Sequence, residues 1–202
     1  MCSTFSTKPS VTSVEKVKNG SYYCDRFKRG LSCDMCAHMI EKDHVYSEFR
    51  KQKFAIHGRN IHLKATTVRP LLWFVYLLEC IPCHVQYVGS TQNAASRFKN
   101  HKSAAHLKNS TSSGMAKHFS EICPNDDNNP QKPQLRITLI DFMHTTIVKL
   151  EEAGHAAGPQ CRCAECGKLK ITEDKWIMRL GTFEGKGVND RNEIKSKCRG
   201  QW

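Results

Sequence analysis

At 202 residues the chain can bury one proper core with a small satellite module, and its 31 Lys and Arg against 19 Asp and Glu leave a net charge of +12, with ten His besides. That excess favours a polyanionic partner, because neutralised phosphates release counterions. The basic residues are scattered among Cys, His and Gly rather than along an amphipathic helix, and no run reaches the roughly 18 apolar residues of a span, so no membrane partner is expected. Eleven Cys without an apolar signal core read as zinc ligands or free thiols rather than disulfides, in a nuclear or otherwise intracellular protein.

Residues 1–20, rich in Ser, Thr and Lys, read as a disordered leader. Residues 21–70 form a Cys/His-rich extension in which Cys24, Cys33, Cys36 and His38 offer a zinc site. Within it, Phe54-Ala55-Ile56-His57 and Ile61-His62-Leu63 alternate weakly and predict a hairpin around Gly58-Arg59-Asn60. A dense apolar run over 71–79 predicts a central strand, 81–84 a turn, and 86–89 a returning strand. A helix follows over 93–107, packing through Ala94, Ala95, Phe98 and Ala105. After the turn-rich stretch 124–130, residues 135–140 alternate as a third strand, and 145–152 predict a short helix. The loop 154–168 carries Cys161, Cys163 and Cys166. It leads into a helix over 169–180, striped by Leu169, Thr172, Trp176, Ile177 and Leu180 and capped by Gly181. Residues 194–202 are a basic tail. The expected fold is α+β: a small three-stranded, mainly antiparallel sheet flanked by helices, with zinc-binding Cys/His insertions.

Several residues could do chemistry. Glu173 lies three residues before Trp176 and four before Ile177, so it shares their buried face, where a carboxylate must be paired or bound to metal. The plainer alternative is a first-turn acid solvated at the helix edge. Arg97 and His101 sit one helical turn apart and could brace a phosphate and handle a proton, or simply line a solvated face. Tyr76 and Tyr87, taken singly, fit strand packing. Cys80-x-x-Cys83 is half of a tetrahedral zinc site, with His118 and Cys123 chosen as the other half. Cys161, Cys163 and Cys166, with His155, suggest another.

Two tyrosine motifs, Phe74-Val75-Tyr76 and Tyr87-Val88-Gly89, with Arg97 and His101 on the next helix and then Glu173 and Asn189, resemble the GIY-YIG nuclease superfamily over residues 71–193. The first motif departs from the family name, since Phe74 stands where its first glycine would be. Cys80 and Cys83 between the tyrosines, an upstream Cys33-x-x-Cys36, and Glu173-Asp174-Lys175-Trp176-Ile177 followed by Gly187-Val188-Asn189 are similar to the endonuclease domain of Penelope-like retroelements.

The resemblance implies a DNA endonuclease that hydrolyses, and as a single site nicks, one phosphodiester strand. Tyr76 would be the general base, Tyr87 or His101 would order the water, and Arg97 would offset phosphoryl charge. Glu173 would hold one magnesium or manganese, and Asn189 would position the site. It also implies a reverse transcriptase domain or retroelement ribonucleoprotein as partner, for which 202 residues leave no room. Two other readings are weighed: a catalytically inactive, zinc-stabilised nucleic-acid-binding module, and a secreted Cys-rich interaction protein. Chemically competent residues at all six catalytic positions favour the nuclease. The oligomeric state is not legible in the sequence.

Overall fold

The computed structural model describes residues 15–16, 22–23, 35, 38, 43–56, 71–92, 94–106, 114–121, 123, 134–145, 147–155, 161–190 and 194. In chain order the elements are β1 (Glu15–Lys16), β2 (Tyr22–Tyr23), β3 (His44–Ser47), β4 (Gln52–Ala55), β5 (Leu71–Cys80), β6 (Val85–Thr91), α1 (Ala94–His106), α2 (Gly114–Glu121), β7 (Leu135–Thr145), α3 (Ile147–Glu152) and α4 (Ala164–Leu180). β6, β5 and β7 form a three-stranded antiparallel sheet with β5 in the middle, and β1–β2 and β3–β4 pair separately. None of the helices is long and apolar enough to cross a membrane, among the described residues.

β5 is a continuous apolar run because both of its faces are buried. Phe74, Tyr76, Leu78 and Cys80 pack with Phe98 and Ala105 of α1 and with Met115 and Phe119 of α2. Trp73, Val75 and Leu77 pack on the other face with Leu169, Trp176, Ile177 and Leu180 of α4. The result is an α+β core with helices on both sides of the sheet.

Three elements differ from the sequence expectation. β4 pairs backwards with β3, a pairing the sequence did not suggest; the hairpin expected around Gly58-Arg59-Asn60 lies outside the described residues. The turn closes at Lys51, which takes a left-handed φ of 55° and donates its N–H to the Ser47 carbonyl. Nothing in Glu48-Phe49-Arg50-Lys51 carries the usual glycine signal for such a turn.

β7 runs five residues past Ile140. The register slips between Val75 and Tyr76, so that Val75 faces Asp141 while Tyr76 faces Leu139, leaving Ile140 as the extra residue of a bulge. The bulge breaks the alternation that marks a strand in sequence. α4 starts at Ala164, not at 169, because Cys163 caps it by accepting the Cys166 N–H.

The β3–β4 hairpin is docked on the sheet core. Val45 and Ile56 join the cluster under α4. The buried Ser47 hydroxyl donates to the Leu180 carbonyl at 2.5 Å, one of the carbonyls that a helix end leaves unpaired, and accepts the Arg50 N–H at 2.9 Å. Gln86 on β6 adds two more ties, donating to the Tyr46 carbonyl at 2.8 Å and accepting the Glu48 N–H at 3.0 Å. Replacing Ser47 by Val strands these partners and is expected to cost about 1–3 kcal/mol. Urea denaturation should report this as a lower midpoint at unchanged slope; an unmoved midpoint would mean the hairpin is not held by this residue.

Candidate active site

Tyr76 points from the middle of β5 into the layer between sheet and α1 and is fully buried. Its hydroxyl accepts the Arg97 Nε–H at 3.1 Å and lies 2.8 Å from His101 Nε2. Arg97 and His101 reach it together because they are four residues apart on α1, as their spacing suggested. Tyr87 on β6 completes a triangle of rings, its centroid 6.4 Å from Tyr76 and 5.5 Å from His101. Space for the phenol depends on Gly89, which pairs with Tyr76 across the ladder: a Cβ there would sit 2.5 Å from the Tyr76 oxygen.

Electrostatics follow from the burial. Desolvation, then the neighbouring Tyr87, raises the Tyr76 pKa well above its usual value, and Arg97 only partly opposes this. Burial pulls His101 down to about 4, with Arg97 adding to the effect, so its ring is neutral near pH 7. The Tyr76 hydroxyl and His101 Nε2 share one hydrogen bond, whose donor is set by the His101 tautomer. Burial works against the Arg97 charge, but the adjacent Tyr76 and Tyr87 outweigh it and hold the guanidinium pKa above its ordinary value.

Glu173 is in the middle of α4, and the acid of its first turn is Glu165, so the alternative of a first-turn solvated acid does not hold. The carboxylate is buried, accepts the Ser90 hydroxyl of β6, and takes the Lys170 ammonium at 2.8 Å. It is near enough to Tyr76 for its charge to raise the phenol pKa. Glu173 comes from the α4 face of the sheet and Tyr76 from the α1 face, and they meet consecutive β6 residues, Ser90 and Gly89. The Glu173 oxygens, with the Ser90 hydroxyl, are hard donors of the kind that could hold magnesium or manganese.

Asn189 is buried and spends its side chain on backbone. It accepts the Val88 N–H at 2.8 Å, donates to the Val88 carbonyl at 2.8 Å, and also accepts the Thr182 hydroxyl at 2.7 Å. Gln86 bonds Lys186 and Val188 in the same direction, so 186–189 run beside β6 as a short parallel bridge. This clamp fixes the strand that carries Tyr87 and Ser90. α2 abuts it, because a side chain on Gly114 would collide with the Val188 carbonyl.

Two Cys/His clusters flank the site, each with its four ligand atoms within 4.8 Å of one another. In the first, Cys123 Sγ lies 3.8 Å from Cys80 Sγ and 3.6 Å from Cys83 Sγ. Sulfurs bound to one tetrahedral zinc at ~2.3 Å would be ~3.8 Å apart. The fourth member, His118, is 1 % exposed, and neither ring nitrogen finds a hydrogen bond among the described residues. Burial keeps it neutral, the form that binds metal.

In the second cluster His155 Nδ1 is 3.3, 3.4 and 3.5 Å from the sulfurs of Cys161, Cys163 and Cys166. Both clusters could hold zinc. Of the third site suggested by sequence, Cys24, Cys33 and Cys36 lie outside the described residues. His38 Nδ1 is 3.0 Å from the Leu135 carbonyl oxygen, and its ring is 5.2 Å from that of Phe98.

Sequence reasoning missed Ser90 and Lys170. Ser90 follows the second tyrosine motif directly and Lys170 is one turn before Glu173, but neither residue type announces a site without knowing which strand α4 crosses.

Two outcomes are expected. His101 titrates near 6.5 when unfolded and about 4 when folded, so its stabilising effect is present above pH 6.5 and lost as pH falls towards 4. The loss is on the order of 3 kcal/mol. His101→Gln should flatten the fall in unfolding free energy across that window, and an equally steep fall in the variant would contradict the assignment. For the clusters, elemental analysis should find zinc bound to the reduced protein, with Cys83→Ser and Cys163→Ser each lowering the content by about one ion. Undiminished zinc in either variant would dismiss that cluster as a site.

Residues 72–132 match the family model of the GIY-YIG catalytic domain. That span holds both tyrosine motifs, Arg97, His101 and the first Cys/His cluster; Glu173 and Asn189 lie beyond it. No curated protein and no solved structure matches the chain.

Proposed function

We propose that the chain is a metal-dependent DNA endonuclease of the GIY-YIG type, nicking one phosphodiester strand per site. In this reading it is related to the endonucleases of Penelope-like retroelements and works in the nucleus with a reverse transcriptase or retroelement ribonucleoprotein. The observation that carries the reading is convergence. A phenol, a guanidinium and an imidazole meet at 2.8–3.1 Å, with a buried carboxylate from a distant helix close by.

Magnesium or manganese bound at Glu173 would supply polarisation of the phosphate and neutralisation of the leaving oxygen. The residues do the rest. Arg97 holds Tyr76 through Nε and is hydrogen-bonded to Tyr87 as well, and from there its guanidinium would brace a non-bridging phosphate oxygen. A free phenolate is costly in a pocket that raises the Tyr76 pKa. Tyr76 would therefore act as the base only against the opposing charge of Arg97 and of the metal, with His101, held neutral by burial, helping to order the water. Tyr87 orders the water from the neighbouring strand, and Asn189 keeps that strand still through its two bonds to Val88. Both Cys/His clusters would serve as structural zinc sites.

One observation favours the alternative, a catalytically inactive zinc-stabilised nucleic-acid-binding module: the Lys170 ammonium occupies the Glu173 carboxylate at 2.8 Å. A plasmid-nicking time course with magnesium or manganese separates the two. Wild type should relax supercoiled DNA, Tyr76→Phe should slow this by about 10²–10⁴-fold, and Glu173→Gln should abolish it. A wild type that binds the plasmid and never cuts it with either ion makes the inactive module the answer.

A further inference from the structure

A groove of about 680 Å³ lies between α4 and the β3–β4 hairpin. Arg50, Phe54, Asp141, Lys175, Trp176 and Arg179 line it, and none of these belongs to the catalytic set above. Its floor is aromatic. Arg179 lies over both rings, 5.1 Å from the Phe54 centroid and 4.9 Å from that of Trp176. Its rim is cationic, with Arg50 and Lys175 exposed. The one acid, Asp141, is already bonded: Oδ2 accepts the Trp176 Nε1–H at 2.8 Å, and Oδ1 accepts the Phe142 N–H at 2.8 Å. Three cations thus line the groove against a single acid.

The position of the groove matters as much as its charge. Ser90, Val75 and Asp141 form one row across β6, β5 and β7, by the ladder register. α4 is pinned to both ends of that row, by Glu173 on Ser90 and by Trp176 on Asp141. The two anchors are two strand spacings apart, roughly 10 Å. That is about three base-pair rises along DNA.

We propose that this groove is a second nucleic-acid contact. It would hold the sugar–phosphate backbone of the DNA a few nucleotides from the cleavage point, with phosphates on Arg50, Lys175 and Arg179. The charge complementarity carries the choice of a polyanion, together with the overall charge of +12. The identity of that polyanion as the substrate strand rests on the nuclease reading.

Binding is measured on the full chain with a fluorescein-labelled mixed-sequence duplex, in buffer without magnesium or manganese, so that no cutting is needed. Lys175 is exposed, and Lys175→Glu is expected to weaken binding by about tenfold and to reduce the slope of log affinity against log salt by about one. Gln52 is exposed on β4 and lines the same groove, so Gln52→Lys is expected to tighten binding. Lys117→Glu, a matched charge change on the exposed side of α2, should have a much smaller effect. An unchanged affinity in both groove variants, or an equal loss at Lys117, overturns the proposal. So does competition by polyglutamate at DNA-like concentrations, which would give the groove to an acidic protein. If wild type nicks plasmid while Lys175→Glu binds normally, the groove fails and the nuclease stands. If Lys175→Glu loses affinity in a chain that never cuts, the groove stands and the nuclease fails.

Discussion

A hydroxyl buried inside a hydrophobic layer sets the terms for this structure. Tyr76 comes from a central strand with no exposed face, so its oxygen cannot turn to water and must find its partners within the core. Arg97 and His101 supply them, and both must then come from the helix that covers the strand, one turn apart. The phenol needs room as well, and the absence of a side chain at Gly89 gives it. The second motif therefore ends in glycine for a physical reason: any Cβ there would strike the Tyr76 oxygen and crowd the Tyr87 ring. The tyrosine cluster is at once core packing and the chemically competent centre, which is why its residues cannot drift independently.

The second constraint is on α4, which delivers the carboxylate. Glu173 keeps its place only if the helix is fixed in register over the sheet, and five residues do this. Cys163 caps its first turn as a member of the second Cys/His cluster. Glu173 and Trp176 bond opposite strands. Gly181 ends it in a left-handed conformation that also gives Phe49 space, and Ser47 takes the Leu180 carbonyl. The β3–β4 hairpin, at first sight an appendage of the Cys-rich extension, thereby becomes part of what aims the carboxylate.

How far this was legible depended on whether a feature is local. β5 could be read because double-sided burial demands an unbroken apolar run, and α1 because Arg97 and His101 share a face only on a helix. The stripe of Trp176, Ile177 and Leu180 betrayed Glu173, and the spacings Cys80-x-x-Cys83 and His118-x₄-Cys123 are short enough for pairs to converge on one ion. The illegible parts depend on tertiary geometry or on residues used against type. Lys51 makes a left-handed turn without glycine, and a bulge at Ile140 hides the second half of β7. Cys163 starts a helix in a stretch that reads as loop. Ser90 and Lys170 gain meaning only once α4 is laid across β6. Asn189 was expected to position the site; that it bonds Val88 as a neighbouring strand would is visible only in three dimensions.

The two Cys/His clusters solve a problem that the sheet has by itself. Three strands make a narrow sheet, and its ends are where helices and loops fray most readily. The first cluster joins the Cys80 end of β5 to α2, on the face of the tyrosines. The second ties the start of α4 to the segment after α3, and His155 lies 5.5 Å from the Trp73 ring on the other face. The second cluster also touches the active strand, since Gln92, two residues beyond Ser90, donates to Cys166 at 3.9 Å. An ion there would restrain both partners of the Ser90–Glu173 bond from one point. Occupancy of that cluster would then reach the carboxylate by this short path, and loss of the cluster should disturb the carboxylate before it disturbs the tyrosines.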